Sequence, residues 1–164
     1  MNVSIIIASF QRPNLLRWNL QSLSRQTIPF SFETLVINDG VHDGSAQICE
    51  HYRKKLNLRY YFTGQRNQEK ISWRVPGYPN NIGAQLANGD ILLFCCAEMY
   101  HLNETIAILS EPLFRDPRRL AIPIGKDDRD GSFLQSLIDG DNSPLIERAQ
   151  KYPRLNTRLP FLMA

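Results

Sequence analysis

The sequence predicts a three-layer α/β/α sandwich built on a mainly parallel sheet. Three observations carry that prediction: short β-branched runs apolar enough to be buried on both faces, amphipathic stretches of helical period between them, and polar turn-formers where each run stops. Val3-Ser-Ile-Ile-Ile-Ala8 is the first such run and ends in Ser9, Gln11 and Arg12. Pro13 suits the first turn of a helix, and Leu16, Leu20 and Leu23 repeat at i, i+4 and i+7, so a helix over Pro13 to Arg25 should lay one face on that strand.

A second strand is expected over Thr34 to Asn38. The turn-rich Asp39-Gly-Val-His-Asp-Gly44 follows, then a helix whose Ser45, Cys49, Tyr52 and Leu56 share a face. A third short strand is expected at Leu58 to Phe62. Between Thr63 and Tyr78 no period survives, and Gly64, Pro76, Gly77 and Pro79 break any regular element, which makes this a loop. Asn80 or Asn81 caps a helix running to Asn88 with Gly89 as a left-handed stop, and Ile91 to Cys95 is the next strand. Asn103 is the expected cap of a helix with Ile106, Leu109 and Leu113 inward, and Leu120 to Ile124 reads as a further strand. Beyond it, Lys126 to Gly131 is a charged turn, and Phe133 to Ile138 and Pro144 to Tyr152 are short helices.

Composition bounds the function. A chain of 164 residues with 43% hydrophobic and 21% charged residues is read as one domain, and a net charge of +3 is too mild for a nucleic-acid binder while it suits a small anion. The apolar runs Val3 to Ala8 and Ile91 to Ala97 fall far short of the roughly 20 residues that span a bilayer, so no transmembrane segment is expected. Cys49, Cys95 and Cys96 show no metal-ligand spacing, and an odd count argues against a disulfide framework, which predicts a reducing, cytoplasmic setting.

Alternating strands and helices imply right-handed parallel crossovers, and ligands of such sheets bind beyond the carboxyl ends of the strands where strand order reverses. The polar clusters at those ends are Ser9 to Arg12, Asn38 to Gly40 and Cys96 to His101. Neither GxGxxG nor GxxxxGK[ST] occurs, which argues against a Rossmann dehydrogenase and a P-loop nucleotidase.

The segments VSIIIASFQRP (3 to 13), LVINDGVHDGS (35 to 45) and NNIGAQLANGDILLFCCAE (80 to 98) together resemble the amino-terminal half of family 2 glycosyltransferases. The resemblance implies the GT-A fold, a nucleotide-diphospho-sugar donor such as a UDP-sugar, and transfer with inversion. It implies a single GT-A-like domain over 1–164, with residues 1–100 as the nucleotide-binding half and 101–164 as the start of the acceptor side. By position it assigns donor binding to Ala8, Ser9, Phe10, Arg12, Asn38, Asp39, Asn81 and Cys96. The family's Asp-x-Asp signature falls on Cys96-Ala97-Glu98, so Glu98 would hold Mn²⁺ or Mg²⁺ against the diphosphate; His101, three residues on, is a candidate second metal ligand or phosphate donor. The family usually carries a basic residue where Asn80 stands, leaving Arg66 or Arg74 in the preceding loop as phosphate partners.

Plainer readings stand beside these. Asp43, Gly44 and Ser45 read as a helix-capping turn, Arg12 as a solvated side chain or a phosphate contact, and Glu98 as a cap, an arginine partner or a metal ligand. His101 and at least one of Cys95 and Cys96 read as core, and Trp18, Trp73 and the tyrosines as core or loop anchors. The general base for an acceptor of unknown class, carbohydrate, lipid-linked or protein, is expected after a strand entering at Leu159 to Met163, beyond residue 164. The alternative function is a non-catalytic nucleotide-binding or interaction module that kept this fold. A nucleotidyltransferase fits less well, because ASFQRP lacks its glycine-rich basic loop.

Overall fold

The computed structural model describes residues 2–66, 71, 74–141 and 143–154. The chain divides into two compact units, Met1–Ala121 and Ile122–Ala164. Unit one runs β1 (Val3–Ser9), α1 (Pro13–Leu23), β2 (Phe32–Asn38), α2 (Ser45–Tyr52), β3 (Leu58–Phe62), α3 (Gly77–Leu86), β4 (Ile91–Cys96) and α4 (Thr105–Arg115). The four strands form one parallel sheet in the order β3-β2-β1-β4. Strand order therefore reverses after β3, and the chain crosses back through α3 to place β4 beside β1.

Side chains alternate across a strand, and β1 uses both of its faces. Val3, Ile5 and Ile7 are fully buried against Leu16, Leu20 and Leu23 of α1, Ile48 and Cys49 of α2 and Ile106 of α4. Ile6 faces the other way, with Leu35 and Ile37 of β2, beneath Ile82 and Ala84 of α3. This gives the α/β/α layering that the apolar runs predict, and each strand expected over residues 3–95 is present.

Three expectations are corrected. Leu120 to Ile124 is not a strand: Leu120, Ile122 and Ile124 are 76%, 52% and 72% exposed. Pro123 removes a ladder donor there, and an apolar run without a partner strand has no reason to extend. The helix before β4 begins at Gly77 and ends at Leu86, earlier at both ends than the capping asparagines imply. Gly89 is not a left-handed stop; a Cβ there would lie 2.6 Å from the Ser4 amide nitrogen, so glycine serves close approach to β1.

In unit two, α5 (Ser132–Ile138) and α6 (Leu145–Gln150) are present. The charged turn is a cap. Asp128 accepts from the backbone amides of Phe133 and Leu134 at 2.9 and 3.0 Å, and Asp130 accepts from that of Ser132 at 3.1 Å. Trp73 and the apolar Leu159 to Met163 lie outside the described residues.

Gly83 is where α3 meets the sheet most tightly, since a Cβ there would occupy the space of Ile6 Cγ2. Gly83→Ala is expected to cost about 1–3 kcal/mol by overpacking, read as a lower urea midpoint with an unchanged m-value.

Candidate donor-binding cleft

The strand register places Ser9 opposite Asn38 and Ala8 opposite Cys96, so β1, β2 and β4 stop level with one another. Pairing continues one residue further, with the Asp39 amide donating to the Ser9 carbonyl at 2.8 Å and the Ala97 amide to the Ala8 carbonyl at 3.1 Å. Past these ends lies a cleft of about 280 Å³. It is lined from β1 by Ala8, Ser9, Phe10 and Arg12, after β2 by Asp39, from the loop and α3 by Arg74 to Pro76 with Pro79, and at β4 by Cys96 and Glu98. Asp39 and Glu98, some sixty residues apart in sequence, thus share one mouth.

Asp39 is 2% exposed. Its Oδ1 accepts from Arg66 Nη1 at 3.0 Å, Thr63 Oγ1 at 3.3 Å and Arg74 Nη1 at 3.5 Å. All three of these donors reach the same oxygen, and among the described residues no hydrogen bond reaches Oδ2. A buried carboxylate needs such partners, because unpaired charge is costly out of water. Both arginines are themselves held. The Arg66 guanidinium lies 3.6 Å over the Tyr78 ring, and Arg74 sits 5.2 Å from the Phe10 ring while donating to the Arg66 carbonyl at 2.7 Å. Gly40 makes room for this arrangement: its φ is +89°, and a Cβ would fall 2.8 Å from Arg66 Cβ.

The alternation that splits the core also sorts the expected site residues. Asp39 continues the face of Ile37, and Cys96 pairs with Ala8 on the face of Ile6; that is the side of α3 and of the cleft. Asn38, one residue before Asp39, takes the opposite face. Its amide donates to Asp43 Oδ1 at 3.0 Å and Tyr60 Oη at 3.1 Å, and it does not line the cleft.

His101 is likewise on the other side, buried with Nε2 4.0 Å from Cys95 Sγ and its backbone amide on Ser22 Oγ at 3.0 Å. The second metal ligand expected there is therefore corrected: the ring belongs to the core. Asn81 is exposed on α3 and absent from the cleft wall, where Pro79 stands instead. Burial pushes the Cys95 thiol up to about 12, and burial with the Glu98 charge raises that of Cys96, so neither is a poised nucleophile.

Glu98 is half exposed and faces the cleft, with Oε1 3.9 Å from Arg12 Nε. Among the described residues no three His, Cys, Asp or Glu side chains are grouped so as to hold a metal ion. Asp39 Oδ1 is taken by two arginines and Glu98 lies 3.9 Å from Arg12, so among the described cleft residues neither carboxylate is without a cationic neighbour. The described residues offer no cage of protein oxygens for a divalent cation, whose shell would have to come from phosphates and waters.

The role of Arg66 and Arg74 as clamps on Asp39 has no sequence signal beyond two arginines in an aperiodic loop. A larger cavity, about 460 Å³ between α1 and α2, is lined by Asn14, Arg17, Asp43, Gln47 and His51 among others and contains none of the expected site residues. The smaller cleft is where the strand ends converge, and convergence rather than size locates ligands in such sheets.

Residues 4–162 match the family described as Glycosyl transferase family 2. The chain belongs to that family. Among its relatives is the poly(ribitol-phosphate) beta-N-acetylglucosaminyltransferase TarS of Staphylococcus aureus, 32% identical over 107 residues, which are 65% of this chain and 18% of that protein. The structure of S. aureus TarS 1-349 in complex with UDP-GlcNAc superposes with a TM-score of 0.59 at 28% identity, covering 70% of this chain and 32% of that one. The mannosyltransferase PcManGT from Pyrobaculum calidifontis, solved with GDP-Man and Mn2+, shares the fold with a TM-score of 0.64 at 21% identity over 78% of this chain and 36% of that one. The family 2 chain described here therefore has the GT-A architecture and spans about a fifth of the length of TarS.

His101 provides a pH test of the packing beneath the cleft. Burial lowers its pKa from 6.5 to about 4, so the ring is neutral when folded while the unfolded chain takes up a proton below about 6.5. Stability is then full above pH 6.5 and is lost as pH falls toward 4, by up to about 3 kcal/mol from this group. In urea titrations across that window, His101→Gln should flatten the decline.

Proposed function

We propose that this chain binds a nucleotide-diphospho-sugar, with uridine as the nucleoside, and that it acts as an inverting glycosyltransferase or as the donor-binding part of one. The observation that carries the proposal is the shared mouth: Asp39, buried and held by one oxygen, and Glu98 line the same cleft at the ends of three parallel strands. Oδ2, which accepts from none of the described residues, is an acceptor. A uracil ring offers N3–H to it, and the adjacent Arg74 guanidinium can donate to a ring carbonyl. Phe10, 8% exposed, gives the base an apolar wall. Cytosine, whose N3 carries no hydrogen, presents an acceptor to the carboxylate instead.

In transfer with inversion, the bond from the anomeric carbon to the diphosphate oxygen breaks as the acceptor hydroxyl oxygen bonds from the opposite face. The acceptor proton passes to a base, and the released charge stays on the nucleoside diphosphate. The residues described here act on the donor side of that reaction. They orient the nucleoside through Asp39 and offset diphosphate charge with the cleft's guanidinium groups. The UDP-GlcNAc complex of the TarS neighbour supports uridine over the other nucleosides. No helix among the described residues is long and apolar enough to cross a membrane.

Thermal unfolding with UDP, dTDP, CDP and GDP tests the reading, because a ligand that binds only the folded chain stabilises it by about 2.7 kcal/mol at a hundredfold excess over Kd. UDP should raise Tm by several degrees and CDP should not. Asp39→Asn, which removes the charged acceptor, should lower UDP affinity about tenfold. Equal responses to all four nucleotides, or none, would exclude the reading.

A further inference from the structure

A diphosphate entering this cleft brings negative charge that something must offset. Among the described residues three guanidinium groups and two carboxylates are at hand: Arg12, Arg66 and Arg74 against Asp39 and Glu98. Arg66 and Arg74 are committed to the buried Asp39 carboxylate, and the first turn of α3, Gly77-Tyr-Pro-Asn80, contributes no cation. Arg12 is different. Its backbone is fixed, since its carbonyl accepts from the Leu16 amide at 2.9 Å at the start of α1. Its side chain lines the cleft, is 42% exposed, and meets Glu98 only at 3.9 Å. A pair that long and that solvated is cheap to break.

A divalent cation at the same place would find, among the described residues, Glu98 as the one carboxylate outside the Asp39 clamp and a surplus of positive charge around it. A guanidinium needs no further ligands and matches phosphate oxygens with a planar fork of donors. We infer that Arg12, rather than a divalent cation, is the charge partner of the donor diphosphate in this cleft, with Glu98 positioning Arg12 until the ligand arrives. The inference rests on the donor-binding reading above. It makes donor binding by this chain independent of metal.

Isothermal titration of the whole chain with UDP and with uridine, in EDTA and then in excess Mn²⁺ or Mg²⁺, separates the cases. UDP should bind in EDTA with an affinity that added metal changes less than about threefold. Arg12→Ala should weaken UDP about tenfold or more and uridine less than about threefold, since only UDP carries the phosphates. Arg12→Lys, which keeps the charge and loses the fork, should fall between, and circular dichroism checks that both variants fold. Glu98→Gln, which removes a negative charge from the cleft, should tighten UDP. Binding of UDP that appears only with metal and vanishes in Glu98→Gln would overturn the inference while uridine binding still upheld the donor cleft. Unaltered UDP affinity in Arg12→Ala would also overturn it. Failure of wild-type chain to bind either compound would remove the cleft reading and the inference together.

Discussion

A carboxylate buried at the end of β2 organises the functional edge of this molecule. Asp39 survives burial because Arg66 and Arg74 both reach its Oδ1, and the same contacts fasten the loop after β3 to the end of the sheet. Each arginine is then fixed from behind by an aromatic ring, Tyr78 or Phe10. The result is a preorganised acceptor. Little reordering is left for a ligand to impose, and that is the condition under which a single polar contact contributes most to recognition.

The sheet makes this arrangement available. Parallel strands that stop level bring residues from distant parts of the chain to one edge, and the reversal of strand order after β3 opens space between α3 and the end of β4. Gly83 and Gly89 let α3 and the turn before β4 lie close on β1. The fold thus positions the cleft through backbone register and close packing, before any side-chain chemistry is considered.

Much of this was legible in the sequence. Short apolar runs marked β1, β2 and β4, and polar residues just beyond them marked Ser9, Arg12, Asp39 and Glu98 as a set. What escaped the sequence reading followed from two physical causes. The first is parity: a residue at a strand end faces one side or the other according to its register, and this sends Asn38 to Tyr60 and Asp43 while Asp39 meets the cleft. His101 lies in the core on that same far side. The second is the aperiodic loop. Nothing in its pattern reveals that Arg66 and Arg74 fold back onto one carboxylate oxygen. Leu120 to Ile124 shows the converse failure, because an apolar run has strand character only where a neighbouring strand receives it.

Membership in family 2 and the TarS likeness establish the family and the fold, while the side chains give the cleft a charge balance of its own. Its signature position holds a single carboxylate beside an arginine, and its buried carboxylate is shared by two more. The central claim is that Asp39, pinned through one oxygen, reads the nucleoside with the other. A crystal structure of the UDP complex tests it most directly. It should show Asp39 Oδ2 within hydrogen-bond distance of uracil N3, with Arg66 and Arg74 still on Oδ1. Uracil seated elsewhere, in the cavity between α1 and α2 or anywhere out of reach of Asp39, would contradict the account.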